Sequence, residues 1–365
     1  MKRGRKSGRL DWKVAVGLAL SIGALYWAFH DVDFSLVARH VSEADPLLFA
    51  AAVFMTTALF YIRAVRWHWL LEPIQPGIAY RPRLAATCIG FMANNLLPAR
   101  VGEFVRAYAL GRITGMRVSA AFGSLVVERL LDGIMVIGLF FAAMAAPGFP
   151  DTTGGGDIAV AARVMLGVVS LLALVLVGIV VRPLAAVRIG RGLARRLLPE
   201  GFRRPVVDAF EALVHGFSVL RSPRLMLVSL LWSAILWLTG AVSFWLGFLA
   251  FGIEAPFVAA VFLQSLVALG VSLPSAPGFF GLFEGFARLG LVEVYGVEVA
   301  RAVGFAIGFH IGGFIPITLI GLWYTWRLGI SRAEVLHSEE VVETEVEVEA
   351  GETHGAASEA PPRHP

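Results

Sequence analysis

The chain has 365 residues, of which 57% are hydrophobic and only 16% are charged. That balance excludes a soluble enzyme and describes an integral membrane protein, since several stretches approach or exceed the roughly 20 apolar residues needed to cross a bilayer. The net charge of +4 hides an asymmetry, with arginines crowded into a few loops and glutamates near the C-terminus; it points to membrane orientation and anionic lipid rather than to nucleic acid.

In chain order, residues 1–12 form a basic, cytoplasmic N-terminus ahead of an apolar run with no small-residue cleavage site, the pattern of a retained signal anchor. Candidate spans follow at Val14–Phe29, Leu47–Ile62, Ser119–Ala146, Ile158–Val181, Leu225–Ala250 and Ala302–Trp326. Two apolar regions differ. Leu84–Leu97 is too short to cross and is followed by a polar, proline-bearing break and a short leg to Leu110. Phe257–Leu273 is likewise followed by a Pro/Gly turn and the leg Phe279–Leu291. Both are expected to be re-entrant hairpins, over 84–111 and 257–291.

The expected fold is therefore an all-α polytopic membrane protein with about six full spans and two opposed re-entrant hairpins. The positive-inside rule supports one topology, with Arg63, Arg66, Arg81, Arg83, Arg112, Arg117 and the basic loop 182–224 in the cytoplasm. The loops around Asp31–Asp45, Asp151–Asp157 and Glu254 then face outward. A first half, 13–146, and a second half, 158–326, share one element order in opposite orientation, an inverted-topology repeat. An amphipathic helix is expected at Val206–Leu220. The tail 327–365 is acidic and expected to be disordered and cytoplasmic. The membrane is expected to be the inner, or plasma, membrane, with both termini cytoplasmic.

Asn94–Arg106 reads NNLLPARVGEFVR. Backbone broken at membrane depth by Pro98 and Gly102 must be buried in protein or line a wet cavity. Ionisable groups there cost at least ~2.5 kcal/mol each on insertion scales, so function is their default reading. Glu103 and Arg106 are three apart and can pair on one helical face, with Arg100 in the turn before them. Glu128 and Asp132, four apart with Arg129 between, share a face of the next span. Such a cluster can lock two helices together, or it can leave an arginine fork free for a phosphate. Asn94 and Asn95 can satisfy broken backbone or bind a headgroup.

In the second break, Pro274, Pro277, Gly278 and Gly281 impose turns, and Glu284 and Arg288 lie four apart on the return leg. His310 sits in the last span among Gly308, Gly312 and Gly313; it is either a proton relay or a helix-contact residue. Tryptophans such as Trp12, Trp67, Trp69, Trp323 and Trp326 are expected in the interface belt. Cys88, the one cysteine, rules out an internal disulfide framework and a multi-cysteine metal site. Standard catalytic signatures are missing, and no metal or cofactor site is expected.

The motif N-x-x-P-x-R-x-G-E-x-x-R with a later E-R-x-x-D falls on Asn95, Pro98, Arg100, Gly102, Glu103, Arg106, Glu128, Arg129 and Asp132. A second motif, P-x-x-P-G-x-x-G-x-x-E, falls on Pro274, Pro277, Gly278, Gly281 and Glu284. Together they resemble the flippase-like membrane family found as the N-terminal region of lysylphosphatidylglycerol synthases. The resemblance covers nearly the whole membrane domain but no soluble aminoacyl-transferase domain. It implies a non-enzymatic lipid translocase. Its cargo would be a phosphate-bearing lipid, either an anionic phospholipid or a polyprenyl-phosphate lipid. Asn95, Arg100, Glu103, Arg106, Glu128, Arg129, Asp132, Glu284, Arg288 and His310 would form its transport site. The alternatives are a secondary transporter of a small solute and an accessory subunit of a separate lipid-modifying transferase.

Overall fold

The computed structural model describes residues 12–150, 188–190, 192 and 222–346, and every element among them is helical. The first part contains α1 (Trp12–Phe29), α2 (Phe34–Glu43), α3 (Pro46–Leu71), α4 (Tyr80–Leu96), α5 (Gly102–Thr114) and α6 (Val118–Met144). The second contains α7 (Pro223–Ala250), α8 (Phe257–Gly270), α9 (Leu282–Arg288), α10 (Val299–Arg327) and α11 (Arg332–Leu336). The span expected at Ile158–Val181 and the amphipathic helix at Val206–Leu220 lie outside the described residues, as do residues 1–11 and 347–365.

Among the described residues, α3, α7 and α10 are long and apolar enough to cross a membrane. The α1–α2 pair, bent by 84°, adds a fourth if it is one broken span. α6 has 27 residues, a comparable length, but carries Glu128, Arg129 and Asp132 near its middle.

The helix starts follow from local chemistry. Asp45 accepts from the backbone N–H groups of Leu47 and Leu48, and Pro46 occupies the first turn of α3, where a missing N–H is harmless. Ser222 and Pro223 open α7 in the same way. Pro98 ends α4, because the residue before a proline is pushed out of the helical region; Leu97 is extended. A short 3-10 turn, Pro98–Arg100, then leads into α5. Its counterpart in the second part is Pro277–Phe279, between α8 and α9.

α4 and α5 therefore fold back on each other as a helical hairpin that starts and ends about one turn beyond the expected 84–111. They cross where two glycines meet. A Cβ on Gly102 would overlap the Gly90 carbonyl and the Asn94 amide, so neither residue can be larger. The Asn94 side chain accepts from the Gly102 N–H at 2.8 Å, which satisfies the first free donor of α5.

The packing interleaves the two parts. α3 lies along α7, α4 packs on α10, and α8 packs on α6, so each hairpin leans on a long helix of the other part. One apolar core gathers Trp67, Leu70, Leu110 and Leu125 below the first hairpin. Another gathers Phe248, Leu263, Leu291 and Phe305 around the second.

The C-terminal segment departs from the expected disordered tail. α11 and a further helix over 338–346 pack on the first hairpin, with Ile330, Val335 and Val342 buried in its core. Glu334 accepts from Arg112 at 2.8 Å and Tyr108 at 3.0 Å, and Glu345 accepts from the Ser119 N–H at 3.0 Å. The buried valines are thus interleaved with glutamates that accept from the hairpin, at Glu334, and from α6, at Glu345.

Candidate functional site

Four arginines converge on two carboxylates between α3, α5, α6 and α7. Glu128 Oε1 receives Arg106 Nη1 and Arg129 Nη2, each at 2.7 Å, with Arg66 Nη2 at 3.3 Å and Arg63 Nη1 at 3.7 Å. Asp132 Oδ1 receives Arg66 Nη1 at 2.5 Å and the Trp237 indole at 3.2 Å. Its Oδ2 receives Arg63 at 3.0 Å and Arg129 at 3.2 Å. Ser233 Oγ accepts a further bond from Arg66 at 3.0 Å. Arg106 lies over the Trp67 ring, 4.0 Å from its centroid, and the Trp67 indole is fixed by Ser124 at 2.9 Å.

Arg66 and Glu128 are fully buried and Arg106 nearly so, whereas the Arg129 side chain is 38% exposed. Four guanidiniums against two carboxylates leave an excess of two positive charges. Several buried donors have no hydrogen-bond partner among the described residues: Arg66 Nε, Arg106 Nε and Nη2, and Arg129 Nε, while Arg66 Nη2 has only its ion-pair contact with Glu128. Buried polar groups in a native fold are ordinarily satisfied, and the arginine fork is a geometry suited to anions.

Arg63 and Arg66, expected in a cytoplasmic loop, instead lie within α3, which continues to Leu71 rather than stopping at Ile62. Their signal was present: the run YIRAVRWHWLL keeps large apolar residues at helical spacing and sets two arginines three apart on one face. Arg83, also assigned to a loop, is buried and donates to the Ala64 carbonyl at 2.7 Å. Trp67 is a core residue and not an interface anchor, while Trp326 is 80% exposed. The expected Glu103–Arg106 pair does not form, because Arg106 turns to Glu128 and Glu103 has only the Asn94 amide, at 3.5 Å.

The two broken segments touch tip to tip. Arg100 donates to the Ser272 carbonyl at 2.8 Å, and its guanidinium lies 5.3 Å from the Phe279 ring centroid. Both residues have a left-handed backbone, φ 56° at Arg100 and 65° at Phe279. Asn95 ties the first tip to α10 through Thr318 at 2.8 Å.

Glu284 and Arg288 share a leg but serve different partners. Glu284 accepts from the Gly281 N–H at 2.7 Å and meets His310 Nδ1 at 2.6 Å. His310 Nε2 donates to the Gly278 carbonyl at 2.8 Å, so the pair holds both sides of the second tip. Gly281 has φ 92° and lies against the Ser21 carbonyl of α1, a place closed to any side chain. Arg288 instead grips Asp31 with two bonds, at 2.6 and 2.8 Å, and caps the Trp27 and Ala28 carbonyls at the bend after α1. Among the described residues, no three metal-ligating side chains come together.

Residues 14–321, which include the arginine cluster and both tips, match the model of the lysylphosphatidylglycerol synthase TM region. The chain belongs to that family. Among relatives of this TM region, the glycosyltransferase AglD of Haloferax volcanii is 26% identical over 324 residues, covering 81% of this chain and 51% of that protein. The chain thus spans about half the length of AglD. Two UPF0104 membrane proteins of Methanothermobacter thermautotrophicus are 22% and 26% identical, each over 90% of its own length and 85% and 84% of this chain. The TM-region match ends before α11, so the packed C-terminal helices fall beyond it.

Proposed function

We propose that this multi-pass membrane protein is a translocase that moves a phosphate-bearing lipid between leaflets, its phosphate held by Arg66, Arg106 and Arg129. The observation that carries this reading is the set of unfilled guanidinium donors beside two abutting broken helices. In this reading the hairpins are re-entrant from opposite sides, the parts form an inverted-topology repeat, and both termini are cytoplasmic in the plasma membrane. The reciprocal packing of α3 with α7, α4 with α10 and α8 with α6 supports the repeat.

The carboxylates are positioning groups. Glu128 and Asp132 hold the arginine forks in register, and the Glu284–His310 pair braces the second tip. Translocation then requires the tip contacts at Arg100 to open while the arginines stay assembled. The half-length match to a protein named a glycosyltransferase favours a second reading, in which the chain serves a separate lipid-modifying transferase.

The test is transbilayer movement of fluorescent phospholipids and polyprenyl-phosphate lipids in vesicles containing the purified protein. Movement well above that of protein-free vesicles is expected for at least one phosphate-bearing lipid. Background rates across the whole panel would overturn the translocase reading.

A further inference from the structure

The charge balance of the arginine cluster limits what can fill it. The excess of two positive charges does not change when the neighbouring charges are included, because Arg100 and Glu103 cancel. α3 contributes Arg63 and Arg66, α5 contributes Arg106, and α6 contributes Glu128, Arg129 and Asp132. α7 adds only the neutral Ser233 and Trp237, and α4 adds the Phe91 ring, 5.3 Å from the Arg63 guanidinium. Nothing on these elements removes the surplus. An unbalanced charge in a low-dielectric interior is expensive, and it is relieved by a ligand of matching charge.

We propose that the cluster takes the doubly charged end group of a phosphate monoester in preference to the singly charged phosphodiester of a common phospholipid. This rests on the lipid-translocase reading and names its substrate class. A monoester presents three terminal oxygens and a charge near −2 above its second pKa of about 6. Three different arginines, Arg66, Arg106 and Arg129, meet at Glu128 Oε1, and each keeps at least one buried nitrogen without a hydrogen-bond partner among the described residues. A diester has one charge and two free oxygens, which leaves one positive charge uncompensated. A zwitterionic headgroup, with no net charge, would leave the whole surplus in place. The half-exposed Arg129 marks the side from which the anion arrives.

The experiment is equilibrium binding to the full chain in phosphatidylcholine nanodiscs, with fluorescent phosphatidic acid as the monoester and phosphatidylglycerol as the diester. At about pH 8 the monoester is expected to bind at least about tenfold more tightly, and at about pH 5 the two should converge as the monoester loses its second charge. Arg129→Gln, which removes one surplus charge, should abolish most of that preference. The pH series on the unaltered protein stands as a test even if the variant folds poorly. Competition by inorganic phosphate as strong as by phosphatidic acid would show that the monoester chemistry is right and that its source is soluble. Equal binding of the two lipids at about pH 8 would overturn the proposal. A monoester preference without transbilayer movement of any lipid would keep this site and remove the translocase reading, so the two failures are distinct.

Discussion

Arg106 lies flat against Trp67, 4.0 Å from the ring centroid, while its Nη1 reaches Glu128 at 2.7 Å. A planar cation stacked on an indole and bonded at its edge does what a lysine ammonium cannot. Arg106→Lys keeps the charge but loses the stacking and the fork, and is expected to cost about 2 kcal/mol in a desolvated site. Arg106→Ala removes both the stack and the bond to Glu128, whose other arginine partners remain, and should cost more than Arg106→Lys. Thermal unfolding in detergent would order them wild type, Lys, Ala; equal melting points for the two variants would show that the stack contributes nothing.

The Gly90–Gly102 crossing makes a sharper packing prediction. A methyl group at Gly102 meets backbone and the Asn94 amide, neither of which can move aside cheaply. Gly102→Ala should destabilise by about 1–3 kcal/mol, the usual cost of overpacking. Gly133→Ala, in α6 with open space around it, should be neutral or slightly stabilising. Similar melting points for both variants would contradict the close crossing.

Arg100 sets a conformational cost against a contact. Its left-handed backbone costs about 1–3 kcal/mol, and its bond to the Ser272 carbonyl returns about 1 kcal/mol or somewhat more. Arg100→Gly removes both terms and should leave stability within about 1 kcal/mol of wild type. Arg100→Ala removes only the bond and should be the less stable of the two by about 1 kcal/mol. Urea titration resolves the order, and an Ala variant as stable as the Gly variant would show that the tip is unstrained.

Much of this was legible in the sequence, for reasons specific to certain residues. Pro98 ends α4 wherever the chain lies, and the Pro274–Gly281 stretch holds the turn between α8 and α9, so both breaks could be read locally. The role of Glu128, Arg129 and Asp132 as one cluster follows from helical spacing. Arg63 and Arg66 read as loop residues because arginines after an apolar run usually mark a loop, although the apolar spacing runs on to Leu71; the Arg66 contact with Ser233 of α7, more than 160 residues away, could not be read locally. Asp31 as the partner of Arg288 was equally illegible, because it depends on the bend that brings the end of α1 to α9. Within the tail, the helices over 332–336 and 338–346 were not legible, because Val335 and Val342 gain meaning only against the core of the first hairpin.

The C-terminal clamp yields a pH prediction. The Glu334 carboxyl is held down to about 2 from its ordinary 4.5, first by the Ser331 N–H, then by Arg112 and the hydroxyls of Ser331 and Tyr108. A depressed carboxylate stabilises the docked state fully above 4.5, and that contribution fades as pH falls towards 2. Hydrogen exchange of α11 should therefore be flat from neutral pH down to about 5 and rise relative to α10 below that. Glu334→Gln should show the faster exchange already at neutral pH. A variant exchanging like wild type would mean that the apolar contacts of Val335 and Val342 hold the helix alone.

The most direct measurement of the central claim is lipid translocation by Arg66→Gln in proteoliposomes. Gln is polar, uncharged and shorter than Arg, and the remaining arginines still pair Glu128 and Asp132, so the folded fraction can be matched by melting temperature. The account predicts a fall of about tenfold or more in the rate for the preferred phosphate-bearing lipid, since one charged bidentate donor is lost. An unchanged rate in a variant that folds as wild type would contradict it.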